Sequence, residues 1–283
     1  MRSSSPSTQD LFGAIRDARE RLAPVATRVF AYDVIGSTND EAGRLATSGA
    51  PEGTLVIADQ QTAGRGRSGR SWHSPPGAGL YVSVLCRPSA ARENATFTSA
   101  RLITLAAGVG AGEGIRSATG LPVEIKWPND IVFADGQGPL AADRRWRKVA
   151  GILAEASATA DGIQHVVVGF GINVGAATFP TDLVTSATSL EMEAGRPVDR
   201  GTVLVETLAA FWTRYTDLEE GREAAVLARW RELSPSASGG RVSVLRDGER
   251  TTGVSDGVDD GGALRVRTAY GVERMIAGDV SWI

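Results

Sequence analysis

Gln61-Thr62-Ala63-Gly64-Arg65-Gly66-Arg67-Ser68-Gly69-Arg70-Ser71-Trp72 is the stretch on which the reading of this chain turns. Three arginines alternate with glycine or serine, and a tryptophan closes the run. Glycine lets a backbone come close to a ligand, and each guanidinium offers a planar fork of donors suited to carboxylate or phosphate. Gly64, Gly66 and Gly69 also fit the G-x-G-x-x-G spacing of a dinucleotide site. That version must open a helix whose N-terminus receives the pyrophosphate. Here Ser74-Pro75-Pro76-Gly77 follows too soon for a helix, so a Rossmann fold is rejected. The loop reads instead as a cover for an anionic small molecule, against the plainer alternative of a solvated basic turn.

Strands are predicted on both sides of this loop, over Gly53–Gln60 and Leu80–Leu85. Upstream, Arg28–Val34 reads as a strand and Ser37-Thr38-Asn39-Asp40-Glu41 as a capped helix start, with acidic residues in its first turn. Downstream come an Ala/Leu-rich helix over Phe97–Gly120 and two strands joined at Pro128-Asn129-Asp130. A loop over Ala134–Arg147 and strands over Val149–Ala156 and Gln164–Val174 follow. Arg200–Leu233 carries two helices broken near Gly221. After Pro235–Gly240, a Ser/Gly-rich boundary, short β-prone runs alternate with turns, which predicts a small all-β module, a barrel, over residues 240–283. Residues 1–27 read as a polar, partly disordered leader, with one short helix over Asp10–Leu22 ended by Pro24.

The 283 residues suffice for a full core, and the net charge of −3 gives no electrostatic footprint for nucleic acid. The single cysteine, Cys86, forms no internal disulfide and reads as a core residue in a reducing compartment. No apolar run reaches membrane-spanning length, so the chain reads as cytoplasmic. Its 30 basic residues include only two lysines, Lys126 and Lys148. Lys126 ends a strand in Lys126-Trp127-Pro128-Asn129-Asp130, where it can meet anionic oxygens or simply flank a turn. Lys148, beside Arg147, has a strong claim to be an incidental survivor. Gly151, Gly169 and Gly171 thin two strands, either to admit a flat ligand or to let the sheet curve.

Taken in order, Ser37-Thr38-Asn39, the arginine loop, Lys126-Trp127-Pro128-Asn129-Asp130, Ala150-Gly151-Ile152-Leu153 and Gly169-Phe170-Gly171-Ile172-Asn173 resemble the biotin–protein ligases. The resemblance runs from about Arg28 to the C-terminus. It implies an α+β fold with a central mixed β-sheet flanked by helices, similar to class II synthetases, over residues 28–235, and a small C-terminal SH3-like β-barrel. It implies an ATP-dependent, amide-forming ligase that makes biotinyl-5′-AMP and passes biotin to one lysine of a biotin carboxyl carrier protein domain. Ser37, Thr38, Asn39, Gln61, Gly169 and Gly171 would then line the biotin site. Arg65, Gly66 and Arg67 would lie over the carboxylate–phosphate junction, which Lys126 would bridge. Arg70, Asn129 and Asn173 would meet the nucleotide, and Trp72 would stack on adenine as a lid. Asp130 is a candidate base for the acceptor amine. Mg²⁺ would be held mainly through the ATP phosphates, so no metal-ligating residues are assigned.

Some members of that family carry a winged-helix DNA-binding domain. The residues before Arg28 leave no room for one, so a monofunctional ligase is expected, with no DNA or membrane partner, as a monomer or weak homodimer. A lipoate–protein ligase and a non-catalytic adenylate- or carrier-binding module are the rival readings. The arginine loop together with Lys-Trp-Pro-Asn-Asp disfavours both.

Overall fold

The computed structural model describes residues 8–23, 25–88, 97–135, 145–160, 162–176, 179–246, 249–276 and 278–283. The elements run α1 (Thr8–Asp17), β1 (Arg28–Ile35), α2 (Thr38–Thr47), β2 (Thr54–Gln61), β3 (Gly79–Cys86), α3 (Phe97–Thr119), β4 (Glu124–Lys126), β5 (Asp130–Asp135), β6 (Arg145–Thr159) and β7 (Gly162–Asn173). Then come α4 (Leu190–Ala194), α5 (Arg200–Glu219), α6 (Glu223–Leu233), β8 (Ser238–Arg246), β9 (Glu249–Val258), β10 (Leu264–Thr268), β11 (Gly271–Met275) and β12 (Asp279–Trp282). Among the described residues no helix is long and apolar enough to cross a membrane.

Seven strands form one mixed sheet in the order β1-β2-β3-β7-β6-β5-β4. Among the described strands of this sheet only β1 and β2 are parallel, joined through α2, as a parallel pair requires. The apolar runs of β2 and β3 are buried because both faces of the sheet are covered there. Alternation along β7 sends Val166, Val168, Phe170 and Ile172 into the main core, under α3 and α5. Val167 points the other way, into a smaller cluster beneath α2 with Leu45, Val56 and Leu85. Gly169 and Gly171 share the parity of Val167, so they lie on the α2 face of the sheet. Ser37 caps α2, its Oγ accepting from the Asp40 N–H.

On the opposite face α3 and α5 touch backbone to backbone. A Cβ at Gly110 would stand 2.4 Å from Phe211 Cα, and one at Gly114 would stand 2.4 Å from Thr207 Cα. Phe211 meets Phe170 edge-on, with ring centroids 5.3 Å apart, which ties this helix pair to β7.

The C-terminal module is a five-stranded antiparallel sheet in the order β11-β10-β9-β8-β12, consistent with an SH3-like barrel. It shares a core with the larger unit: Val242, Val258, Leu264, Val266 and Val280 belong to the same buried cluster as the helices. Its turn at 259–263 docks on the Lys-Trp-Pro-Asn-Asp segment. Trp127 Nε1 donates to the Gly262 carbonyl at 3.1 Å, and Arg101 Nη1 to the Gly261 carbonyl at 2.7 Å. Asp259 shapes the turn by accepting from the Gly261 and Ala263 N–H groups.

Several expectations need correction. From Thr8 onward the supposed leader is packed: Leu11, Ile15, Leu22 and Val25 are buried in the main core, and Arg21 forms a two-pronged ion pair with Glu206 on α5. The helix expected over 10–22 runs Thr8–Asp17; Pro24 and residues 1–7 lie outside the described residues. The loop expected over 134–147 is shorter, because β5 reaches Asp135 and β6 starts at Arg145; residues 136–144 lie outside the described residues. The Ser/Gly boundary stands where expected, at the start of β8, and is partly packed. Ser236 and Ala237 are buried, and Ser255 Oγ donates within hydrogen-bond distance of the Ser236 and Gly240 carbonyls.

The helix contact gives a direct test. Gly110→Ala is expected to cost about 2–3 kcal/mol in urea unfolding, because the added methyl meets Phe211 backbone. Gly108→Ala, whose Cβ would meet only Ile125 at 3.6 Å, is expected to be neutral or slightly stabilising through helix propensity. Equal midpoints for the two variants would contradict the close crossing.

Candidate active site

A cleft of about 430 Å³ opens on the α2 face of the sheet, within the range of small-molecule sites. Every site residue predicted from the sequence lines it: Ser37, Thr38, Asn39 and Gln61; Arg65, Gly66, Arg67, Arg70 and Trp72; Lys126, Asn129 and Asp130; Gly169, Gly171 and Asn173. Gly278, Val280 and Ser281 of the small domain complete the wall, so the cleft is built by both units.

The glycines on the floor make room for protein side chains. A Cβ at Gly169 would stand 2.2 Å from Asn39 Oδ1, and one at Gly171 would stand 2.5 Å from Trp72 Cε2. At Gly151, paired with Gly171 across the β6–β7 ladder, a Cβ would meet Lys148 Nζ at 3.0 Å and Trp72 Cζ3 at 3.1 Å. The flat group on the bared strands is therefore the indole of Trp72.

Trp72 arrives there because the arginine loop folds on itself. Gly66 N–H donates to the Arg70 carbonyl at 2.7 Å, and Trp72 N–H to the Gly64 carbonyl at 2.8 Å. Ser68 and Gly69 turn the tip with φ of 55° and 72°. Tyr81, on the same face of β3, donates to the Pro75 carbonyl at 3.0 Å and steadies the way out of the loop. Burial raises its hydroxyl well above the ordinary phenol range, so it remains a donor.

One end of the cleft is a polar relay. Gln61 Oε1 accepts from the Thr38 N–H at 2.9 Å and from Thr38 Oγ1 at 3.1 Å. Gln61 Nε2 donates to Ser74 Oγ at 3.1 Å, and Ser74 Oγ donates to the Trp72 carbonyl at 3.1 Å. Buried Ser83 Oγ lies 2.9 Å from Thr38 Oγ1 and donates to Asn39 Oδ1 at 2.6 Å. Asn39 Nδ2 reaches Glu155 Oε2 at 2.8 Å and the Leu153 carbonyl at 3.2 Å.

The other end gathers cations. Lys148 Nζ lies 2.6 Å from Asp130 Oδ1 and 5.1 Å from the Trp72 ring centroid. Arg67 Nη1 donates to Asn129 Oδ1 at 3.2 Å. Arg65 turns away from Arg67 to meet Asp40 Oδ1 at 2.6 Å and Glu155 Oε2 at 2.8 Å. Lys126 Nζ stands 5.5 Å over Trp282 of β12, which in turn meets Trp146 at 6.2 Å. Lys126 thus touches the small domain, while Lys148 sits against the indole. The amide donors of Asn129 and Asn173 go to the carbonyls of Ile152 and Thr188, at 2.7 and 3.0 Å, so both asparagines hold cleft backbone. Asp130, the candidate base, is already the partner of Lys148.

Sequence reasoning set Lys148 aside, and simple alternation would have turned it toward the core with Ala150 and Ile152. The structure has a register shift: Ile131 pairs with Ala150 and Val132 with Lys148, leaving Val149 as an extra residue. Such a bulge re-aims a side chain, and here it turns Lys148 into the cleft. Ser83, Trp146 and Glu155 were also missed. Cys86 is buried, and burial raises its thiol well above the ordinary range, in keeping with a core residue.

Comparisons with known proteins agree with this architecture. The profile of the Biotin/lipoate A/B protein ligase family matches residues 31–173, and that of the Biotin protein ligase C terminal domain matches residues 237–282. The biotin--[acetyl-CoA-carboxylase] ligase of Paracoccus denitrificans is 34% identical over 250 residues, covering 86% of this chain and 96% of its own length. The bifunctional ligase/repressor BirA of Bacillus subtilis (strain 168) is 35% identical over 251 residues, covering 88% of this chain and 72% of its own. The solved biotin protein ligase from Aquifex aeolicus in complex with biotin and ATP superposes with a TM-score of 0.73 at 28% identity, covering 90% of this chain and 97% of that one. Profiles, relatives and solved fold converge: this chain belongs to the biotin protein ligase family.

Proposed function

We propose that this chain activates biotin with ATP and transfers it to a lysine of a biotin carboxyl carrier protein domain. In the first step a biotin carboxylate oxygen attacks the α-phosphorus of ATP. An O–P bond forms, the bond to the bridging β-phosphate oxygen breaks, and pyrophosphate leaves. In the second step the lysine ε-amine attacks the acyl carbon. A C–N bond forms, AMP leaves with the C–O bond electrons, and the proton released from the amine passes to solvent water. The observation that carries this reading is the single cleft, with a polar relay at one end and Arg67 and Lys148 at the other.

The physics of the first step is the meeting of two anions. Fixed cations offset their repulsion and stabilise the charge that grows at the phosphorus, more so where water is excluded. Arg67 and Lys148 suit that junction. Lys148 replaces Lys126 in the role expected from the sequence, because Asp130 aims its ammonium into the cleft while Lys126 lies over Trp282. The relay of Thr38, Asn39 and Gln61 suits the polar ring of biotin, and Trp72 suits a flat apolar neighbour. Arg70, Asn129 and Asn173 line the side toward the nucleotide. Magnesium arrives with ATP as part of the substrate. We assign the ion mainly to the ATP phosphates. The lone buried cysteine suits a reducing compartment, and we assign the reaction to the cytoplasm.

The second step needs a neutral amine, and at a reference pKa of ~10.4 only about one lysine in 2,500 is neutral at pH 7. Asp130 accepts from Lys148, so we assign it to orienting that ammonium rather than to deprotonating the acceptor. Asp130→Asn is then expected to slow first-turnover adenylate formation by about tenfold or more. Normal adenylate formation with failed transfer from preformed adenylate would restore the base assignment and remove this one.

The function itself is tested by pyrophosphate release. Purified chain with ATP and magnesium should release pyrophosphate when biotin is added, not when lipoate is added, and should then label a carrier domain on one lysine. No biotin-dependent release would overturn the ligase reading, and equal release with lipoate would overturn its specificity.

A further inference from the structure

We propose that Glu155 is a positioning residue that latches the arginine loop to the polar end of the cleft and so governs how long the activated intermediate is retained. The proposal rests on the ligase reading above. Its starting point is one carboxylate oxygen with two donors: Glu155 Oε2 accepts from Asn39 Nδ2 at 2.8 Å and from Arg65 Nη2 at 2.8 Å.

The first donor belongs to the relay and the second to the loop. Asn39 is only 6% exposed, and its other amide atom accepts from buried Ser83. Ser83 touches Thr38, Thr38 donates to Gln61, Gln61 to Ser74, and Ser74 to the Trp72 carbonyl. The connected groups therefore leave the loop at Trp72, cross the floor of the cleft, and re-enter the same loop at Arg65. Glu155 is the link at which a neutral relay is joined to a cation. Arg65 also grips Asp40, the residue after Asn39 on α2, so its guanidinium clasps α2 to β6 across the mouth of the polar end.

This arrangement separates retention from chemistry. Arg65 is committed to two carboxylates of the protein itself, whereas Arg67 and Lys148 face the reacting end. Loss of the Glu155 charge removes one of the two anions that hold Arg65 without touching the reacting end. These groups are partly exposed, with side-chain exposures of 42% for Arg65 and 38% for Glu155. The latch is therefore weak, and it changes the loop-opening equilibrium by about two- to fivefold rather than by orders of magnitude. That is enough to alter escape of a reactive intermediate and too little to unfold the site.

Glu155→Gln tests this, because the amide keeps an acceptor oxygen for Asn39 and loses the charge that holds Arg65. The 283-residue chain is given biotin, ATP and magnesium without a carrier. First-turnover pyrophosphate release and the KM for biotin are expected to stay within about twofold of wild type, while escape of labelled adenylate rises about two- to fivefold. Glu155→Ala, which also strips Asn39 Nδ2 of the nearer of its two acceptors, is expected to raise the KM for biotin as well. In the ligand-free protein, amides of residues 64–72 are expected to exchange faster in Glu155→Gln than in wild type. Unchanged escape, or a rise in KM and loss of first-turnover rate equal to those of Glu155→Ala, would overturn the latch. Absence of adenylate in wild type would remove the ligase reading, and the exchange comparison would still decide the latch, since equal exchange refutes it.

Discussion

The site depends on the absence of side chains from one patch of sheet. Gly169 leaves the space that Asn39 occupies, and Gly151 and Gly171 leave the space for Trp72 and the Lys148 stem. Protein interiors are packed too tightly for these atoms to shift by an ångström without cost. A methyl at Gly169 would displace the amide that joins Ser83 to Glu155, and a methyl at Gly171 would lift the indole against which Lys148 rests. The loop, the relay and the ammonium thus all take their positions from three hydrogen atoms on the sheet.

From this floor the charges divide. The loop arginines do not act as one cluster, since Arg65 is engaged by Asp40 and Glu155 while Arg67 reaches Asn129. The two lysines divide in the same way, Lys148 to the floor and Lys126 to Trp282. Lys126-Trp127-Pro128-Asn129-Asp130 connects these regions. Trp127 holds the turn of the small domain, Asn129 holds β6 and Arg67, and Asp130 holds Lys148. This is a physical reason for so compact a run to hold a cation, an indole and two short polar groups: Lys126 and Trp127 meet the small domain, while Asn129 and Asp130 meet β6 and the loop.

Much of this was legible in the sequence. β-branched runs gave the strands, the Ser37-Thr38 pair gave the start of α2, and Gly221 gave the break between α5 and α6. The motif residues all reached one cleft because the resemblance had already fixed their order along a known architecture. Other features depended on partners distant in the chain. The polar leader hid Leu11 and Ile15, whose burial needs α5 to cover them. Glycines at 151, 169 and 171 announced a close approach, yet nothing local said that the visitor was Trp72. Lys148 was set aside because it stands beside Arg147; alternation would in addition assign it to the core face, and only the bulge at Val149 reverses that. Ser83 sits in an apolar run, and its role appears only when Thr38 and Asn39 are brought against it.

The most direct measurement is first-turnover adenylate formation by Gly171→Ala, compared with wild type at saturating biotin and ATP. The account predicts a variant that still unfolds cooperatively near the wild-type temperature but has lost about a hundredfold in rate, because the displaced indole carries Lys148 away from the junction. Adenylate formation at the wild-type rate would contradict the claim that the bared strands set the geometry of the site.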